Sequence, residues 1–363
     1  MRWFVFHKLT YDTVLADWCG NLVQTLIEKR MIVKEKIGGL FFDNVLSVFD
    51  GGSCGQQALK ELEIPMSNYF ASEIDKHAIK VTMDNHPNTI QIGDVTKVKA
   101  ENLPKIDLLM GGSPCQGFSF SGKQLNFSDP RSKLFFEFAR LLKECKPKYW
   151  LLENVVMKQE YQDVISDHLG VRPVKLNSDK TSAQNRVRLY WANFEITEPT
   201  DQGIKLEDVL EDTEMIEPSA IRGRRLNKAA ILGRRLDDRG KRQDYDKSVP
   251  ITQCLEVRAT NRDKSNCLTT VAKDTVLTTM PIGRHPDAFN RKLPYRNYTK
   301  IERARLMNLP DAYFDCVSLN QAVKISGNGW DVGMIKHILS QMVLQKPKER
   351  GLFSFTDEQD KLD

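Results

Sequence analysis

The chain has 363 residues, 40% of them apolar and 28% charged, with a formal net charge of +5. That length exceeds one minimal domain and fits a catalytic domain carrying a second module, and the charged fraction and negative mean hydropathy argue against a membrane protein. The positive charge is concentrated: Ile221 to Lys264 holds 13 Lys and Arg against 6 Asp and Glu, so the remainder is slightly acidic. A surplus gathered in this way is the expected footprint of a polyanion-binding surface.

Taken in chain order, MRWFVFHKLTYD meets polar residues too early for a signal peptide or a spanning helix, which predicts a cytoplasmic protein. VLADWCGNLVQTLIEKRMIV has the spacing of an amphipathic helix. The seven cysteines are odd in number, scattered and never in a CxxC arrangement, so neither a disulfide framework nor a metal site is expected. Residues 44 to 153 alternate short apolar runs with amphipathic stretches, as in an α/β sheet. NVLSVFDGG predicts a buried strand entering a glycine turn, QQALKELEI a helix, NYFASEID a strand ending in an acid and KIDLLMGGSP a strand ending in a loop. LFFEFARLLKECK predicts a helix and YWLLENV a further strand. Each strand ends in Gly or a polar residue, on the edge where open α/β sheets bind ligands.

The pattern changes after RLYWANFEI, placing a domain boundary near residue 195. An acidic stretch, Glu207 to Glu217, leads into IRGRRLNKAAILGRRLDDRGKR, where the repeated GRRL reads as coincidence within a basic loop. KSNCLTTV reads as a β-strand of a smaller domain in preference to a second recognition edge. Helical spacing returns in TKIERARLMNL and VGMIKHILSQMVL, and the residues from Lys346 form a charged tail.

GGSPCQGFS, residues 111 to 119, places Cys115 in a Pro/Gly/Ser loop directly after a strand, where backbone amides favour a thiolate. A loop cysteine on its own is more often an inert small side chain. The surroundings change that reading. ProCys followed by GlnGlyPheSer, LeuLeuGluAsnVal at 151 to 155 and GlnAsnArgValArg at 184 to 188 resemble the C5-cytosine DNA methyltransferase family. VFDGG at 48 to 52, SEIDKHA at 72 to 78, GDVTKV at 93 to 98, YRNYTKIERARLMNLP and SGNGWDV at 326 to 332 extend the resemblance in family order. Ser53 and Cys54 depart from the glycines of many relatives, while Asp50 and Trp330 are closer to the vertebrate de novo enzymes.

The resemblance implies a class I S-adenosylmethionine-dependent methyltransferase: a Rossmann-like doubly wound α/β sheet with a smaller target-recognition domain. It implies a catalytic domain over 1–195 completed by 315–345, a recognition domain over 196–314 and a tail over 346–363. It further implies that Cys115 adds to cytosine carbon 6, making carbon 5 enamine-like, while Glu153 donates to ring nitrogen 3. That role requires a protonated acid, so a raised Glu153 pKa is expected. Arg188 would bond cytosine oxygen 2 and Arg186 would hold the acid and its loop, two tasks suited to planar forks. For S-adenosylmethionine, Phe49 would stack on adenine, Gly51 and Gly52 would allow close backbone approach, Glu73 would take the ribose hydroxyls and Asp94 the adenine amine. Pro114, Leu134, Asn328 and Trp330 would complete the walls. GFSFSGKQLNFSDPRS resembles the family's mobile catalytic loop.

Within the basic segment, Arg222, Arg224, Arg225, Arg234 and Arg235 are the candidate DNA-reading residues. The implied partner is double-stranded DNA bound by a monomer that flips its base, in a bacterial or bacteriophage setting with a possible cognate restriction endonuclease. The rival readings are a transfer-RNA cytosine methyltransferase, a catalytically inactive DNA-binding relative, and the same addition chemistry directed at a one-carbon aldehyde.

Overall fold

The structure, a computed structural model, describes residues 40–114, 130–211, 226–237, 246–257, 263–286 and 293–344. The segment read as an N-terminal helix, the loop from Cys115 and the tail from Lys346 lie outside them.

The apolar runs of the first half become strands of one sheet: β1 (Phe42–Val48), β2 (Met66–Ser72), β3 (Ile90–Gln91), β4 (Leu108–Gly111), β5 (Tyr149–Val155), β6 (Val174–Asn177) and β7 (Val187–Ala192). Their order is β3-β2-β1-β4-β5-β7-β6, parallel throughout except that β7 runs antiparallel to both neighbours. Successive strand residues point to opposite faces, so Val45, Leu108 and Leu151 enter one apolar core while Leu46, Leu109 and Leu152 enter another. Burial on both faces explains why these strands read as continuous apolar runs. Helices α1 (Cys54–Glu61), α2 (Lys76–Asn85), α3 (Pro130–Cys145) and α4 (Gln159–Leu169) connect the strands.

The chain winds outward from β1 to β3 and returns to β4 beside β1, which puts a topological switch point between β1 and β4. Ligands of doubly wound sheets bind outside the carboxyl ends of the strands at that point. The register aligns Val48 with Ser72 and Gly111, and Gly111 with Leu152. The next residue on each of those four chains is therefore Phe49, Glu73, Gly112 and Glu153, a single row along the sheet edge.

After a short helix, α5 (Leu206–Val209), comes a second sheet. It comprises β8 (Asn227–Arg235), β9 (Ile251–Val257), β10 (Val276–Thr278), β11 (Gly283–His285) and β12 (Tyr295–Asn297), in the antiparallel order β11-β9-β8-β10-β12. Ala229, Ile231, Leu255, Val257 and Val276 form its small core. Two sequence expectations change here. The second GRRL copy is not loop: Gly233 to Arg235 lie on β8, where Gly233 lets the strand pass so close to Ile251 that a Cβ would sit 2.9 Å from its Cγ2. KSNCLTTV is not a strand. Apart from an isolated bridge between Gln184 and Ser265 it is irregular, because its backbone bonds to the β6–β7 connection: Ser265 N–H donates to Ala183 O (2.6 Å) and Leu268 N–H to Gln184 Oε1 (2.7 Å).

Three helices close the chain: α6 (Lys300–Leu306), α7 (Leu319–Asn328) and α8 (Val332–Leu344). Thr-Lys-Ile-Glu is a capping box, with Thr299 and Glu302 each accepting the other's backbone N–H. Ala304, Leu306, Tyr313, Phe314, Ile335, Ile338 and Leu339 pack into the core of the seven-stranded sheet, so residues 299–314 contribute apolar side chains to the large sheet rather than to the core of the second. No helix among the described residues is long and apolar enough to cross a membrane.

Candidate active site

The turn after β1 is built on left-handed backbone. Phe49 (φ 59°), Gly51 (φ 59°) and Ser53 (φ 58°) all occupy that region, which costs a bulky residue energy and gathers at functional sites. The side chains around the turn hold it in place. Glu73 Oε2 accepts the Gly51 N–H at 2.8 Å, while its Oε1 accepts from Ile74 and Asp75 N–H, both at 2.8 Å. Asp50 accepts from Ser53 and, at 2.8 Å, from Tyr69 Oη; burial raises its pKa to about 6 despite those donors. Asp94 accepts from the Thr96 N–H and hydroxyl, and these bonds hold its pKa below the ordinary value.

A cavity of about 320 Å³ opens from this turn toward β5. Phe49, Gly51, Glu73 and Asp94 line one end; Gly112, Pro114, Glu153, Arg186, Arg188 and Trp330 line the other, with Leu134 and Asn328 also on its wall. Of the residues expected to hold a cofactor, only Gly52 is absent from the lining. Its carbonyl accepts from Tyr313 Oη at 2.7 Å, and a Cβ there would lie 3.1 Å from Ile325, so Gly52 serves packing behind the turn. Ile74, 76% exposed and also on the cavity wall, escaped the sequence reading.

At the β5 end the side chains interlock. Arg188 Nε reaches Glu153 Oε1 at 3.0 Å from the neighbouring strand, and Trp330 Nε1 donates to Glu153 Oε2 at 3.0 Å. Burial raises the Glu153 pKa above its ordinary value even though Arg188, Arg186 and Trp330 pull it down. Arg186 is 2% exposed, and its fork donates to Leu268 O (3.2 Å), Gly327 O (3.1 Å) and Gly329 O (2.6 Å). It thereby ties the segment before Trp330 to the irregular stretch 264–271. At Gly327 the two segments touch so closely that a Cβ would fall 2.3 Å from the Thr269 carbonyl carbon.

Two further residues of the site were not singled out from sequence. Asn154 Nδ2 donates to Ser113 Oγ (3.1 Å) and O (3.3 Å), fixing the chain just before Pro114. Cys267 Sγ lies 3.4 Å from Arg186 Nη1 and 3.8 Å from Arg188 Nη2. Burial pushes the Cys267 thiol up, but the two guanidiniums outweigh it and hold it below the ordinary thiol range. The adjacency of Asn154 to Glu153 was a usable signal for the first. Nothing in the sequence brings Cys267 to two arginines 81 and 79 residues away.

Cys115 itself lies outside the described residues, as do Arg222, Arg224 and Arg225; Pro114 delivers the chain to Cys115 from the cavity wall. Arg234 and Arg235 are consecutive on β8 and leave opposite faces of the sheet. Arg234 Nε pairs with Glu256 at 2.8 Å, and Arg284 Nε pairs with the same carboxylate oxygen at 3.2 Å. Arg235 donates to the backbone carbonyl of Val249, bracing the β8–β9 connection. No cluster of metal-ligating side chains occurs among the described residues.

Comparison with known proteins bears on this arrangement. A profile of the family described as C-5 cytosine-specific DNA methylase matches residues 44–344. The type II methyltransferase M1.ScrFI of Lactococcus lactis subsp. cremoris is 31% identical over 315 residues, 78% of this chain and 74% of that protein. The type II methyltransferase M.NlaIV of Neisseria lactamica is 44% identical over 100 residues, which are 28% of this chain and 24% of that relative's length. Among solved structures, the Entamoeba histolytica methyltransferase EhMeth aligns over 82% of this chain and 97% of its own with a TM-score of 0.60 at 16% identity, a likeness of fold.

Proposed function

The chain belongs to the C-5 cytosine-specific DNA methylase family, and from that premise we propose that it methylates carbon 5 of a cytosine within a specific sequence of duplex DNA, using S-adenosylmethionine and Cys115 as nucleophile. The observation that carries the reading is the single cavity joining Glu73 and Asp94 at one end to Glu153, Arg186 and Arg188 at the other.

The residues present fit the cofactor. Its volume is within the roughly 300–1,000 Å³ range of small-molecule sites. Gly51 and Gly93 have positive φ and open space where a Cβ would point, which leaves bare backbone at the adenosine end. Glu73 is anchored by three backbone N–H groups and suits paired ribose hydroxyls, while Asp94 suits an exocyclic amine. Phe49 and Ile74 supply apolar surface for the purine, and Pro114, Leu134, Asn328 and Trp330 enclose the remainder. When bound, S-adenosylmethionine supplies an electrophilic methyl group.

The protein's own residues prepare the base. The Cys115 thiolate forms a bond to carbon 6, and the displaced π electrons load ring nitrogen 3 and oxygen 2. Glu153 gives a proton to nitrogen 3, and Arg188, already against Glu153, donates to oxygen 2. Arg186 keeps this corner rigid by holding the carbonyls of Gly327 and Gly329. The target must leave the duplex stack to reach the cavity, at a cost of about a few kcal/mol. Within residues 196–314, the part before Thr299 that carries the second sheet forms the recognition region, in which Arg222, Arg224, Arg225, Arg234 and Arg235 contact DNA. Arg234 carries the most support, because it meets Arg284 at Glu256 and so gathers two guanidiniums on one face of the second sheet. A monomer acting in a bacterial or phage-infected cell completes the proposal.

The test is tritium transfer from labelled S-adenosylmethionine to duplex DNA by the wild type and by Cys115→Ser, followed by bisulfite sequencing. Label on cytosine in one short recurring context, absent with the variant, is expected. Label on transfer RNA and none on DNA would overturn the reading.

A further inference from the structure

The Glu153 carboxylate receives one donor on each oxygen, and the two donors differ in charge. Oε1 faces the Arg188 guanidinium at 3.0 Å; Oε2 faces the neutral Trp330 indole N–H at 3.0 Å. A proton placed on Oε1 would sit against a cation, so Oε2 is the better seat. Once protonated, Oε2 becomes a weaker acceptor, and the indole bond loses strength. We propose that Trp330 is a positioning residue for Glu153, directing the transferable proton to Oε2 and recovering its full hydrogen bond when that proton leaves for the base.

This rests on the proposed reading of Glu153 as the acid, and it adds which oxygen acts and what drives the transfer. In the step, the Oε2–H bond breaks, a bond from that proton to cytosine nitrogen 3 forms, and the electron pair stays on Oε2. The carboxylate so produced accepts the Trp330 N–H in a charge-assisted bond, the stronger kind. Trp330 thus stabilises the deprotonated product and makes Glu153 a better acid than burial alone would leave it, in keeping with its lowering effect on a pKa that burial raises.

The indole is held for this task from several sides. A Cβ on Gly112 would lie 2.8 Å from Trp330 Nε1 and 3.1 Å from Glu153 Oε2, so the indole and the acid meet over bare backbone. On the other side Gly55 admits the ring, with a hypothetical Cβ 3.4 Å from Cζ3. The preceding residue, Gly329, is tied by its carbonyl to Arg186. The following residue, Asp331, accepts from the Met334 N–H at 2.9 Å and from Asn308 Nδ2 at 3.2 Å. Among the described residues, the titratable and charged groups around the pair are Arg186, Arg188 and Tyr190 from β7 and its approach, Cys267 from the irregular segment, Cys54 from α1 against the Trp330 backbone, and Asp331.

The experiment is a pH titration of the full chain labelled with 15N at its tryptophan indoles, in the wild type, Glu153→Gln and Trp330→Phe. Trp330→Phe assigns the resonance by its loss. The Trp330 N–H signal is expected to move in a single titration in the wild type and to stay fixed in Glu153→Gln. In steady-state methylation, Trp330→Phe should move the alkaline limb of the kcat/KM profile upward by about one pH unit, the worth of a hydrogen bond to a charged group. Binding of S-adenosylhomocysteine, measured by calorimetry, separates that effect from a loss of cofactor affinity. An indole signal indifferent to pH, or titrating equally in Glu153→Gln, would overturn the inference, as would an unshifted profile in a folded Trp330→Phe protein. If that variant does not fold, comparing the wild type with Glu153→Gln still decides. A wild type that shows the titration but never methylates DNA would keep the pairing and defeat the functional reading instead.

Discussion

Two pairs of arginines, one on each sheet, are held in different ways. On the seven-stranded sheet, Arg186 is almost fully buried and spends its fork on three backbone carbonyls and a thiol, and Arg188 is clamped between Glu153 and Cys267. On the five-stranded sheet, Arg234 and Arg284 share a single carboxylate oxygen of Glu256, and the side chain of Arg284 is 34% exposed. A guanidinium fixed by backbone from several segments cannot be replaced without disturbing all of them. One fixed by a single carboxylate can change direction with one substitution. The first arrangement suits a reaction common to a family, the second a surface whose specificity varies.

The sharpest way to break this contrast is at Arg186. Arg186→Lys keeps the charge but not the planar fork, leaving buried carbonyls of Leu268, Gly327 and Gly329 without donors, each at a cost of about 1–3 kcal/mol. Methylation should fall by at least about a hundredfold, and the thermal midpoint by several degrees, read by calorimetry. Arg188→Lys should reduce turnover while lowering the midpoint less, because a lysine keeps a cation beside Glu153 and the backbone carbonyl that Arg188 bonds is that of its own neighbour, Val187. Equal losses of stability in the two variants would erase the distinction.

The second sheet should respond in recognition rather than in folding. Arg234→Ala is expected to weaken discrimination between a cognate and a singly mismatched duplex by about tenfold or more, the scale of a lost bidentate base contact, with little change in melting. Glu256→Gln should act in the same direction more weakly, since the arginines remain but lose their common anchor. Arg235→Ala should cost less binding than Arg234→Ala, because the Arg235 fork bonds the Val249 carbonyl. Competition binding to duplexes at fixed salt checks all three, and an Arg235 effect exceeding that of Arg234 would reverse the assignment of faces.

What was legible in the sequence divides along the same line. Strands buried on both faces leave apolar runs that end abruptly in Gly or acid, so the row Phe49, Glu73, Gly112 and Glu153 could be seen from the ends of four such runs. The raised Glu153 pKa was expected too, from the proton that the resemblance asks this acid to donate in an enclosed pocket. The contacts that complete the site were not. Trp330 meets Glu153 across 177 residues, and Cys267 arrives on a segment whose clustered Thr and Asn read as a strand. That segment spends its backbone bonds on Ala183 and Gln184, a choice made by tertiary packing that local propensity does not contain. In the basic region the error was one of period. Treated as loop, Arg234 and Arg235 looked equivalent; on β8 they point to opposite faces.

The smallest expected effect concerns the other end of the cavity. Asp50 is held with its pKa raised from 3.8 to about 6, chiefly by burial, while Ser47, Ser53 and Tyr69 oppose the shift through hydrogen bonds. A carboxyl whose folded pKa lies above its unfolded one takes up its proton more readily in the native state. Its contribution to stability is therefore fully present below pH 3.8 and lost as pH rises through about 6. Most buried carboxylates paired with cations act in the opposite sense. Asp50→Asn should remove this component, so that the urea midpoint of the variant relative to the wild type increases steadily between about pH 4 and pH 6 and then levels off. The Tyr69 hydroxyl can still donate to the amide oxygen, so the turn at Phe49 should survive the change. A constant offset between the two midpoints across that window would mean that Asp50 keeps its ordinary pKa, and that its donors balance its burial.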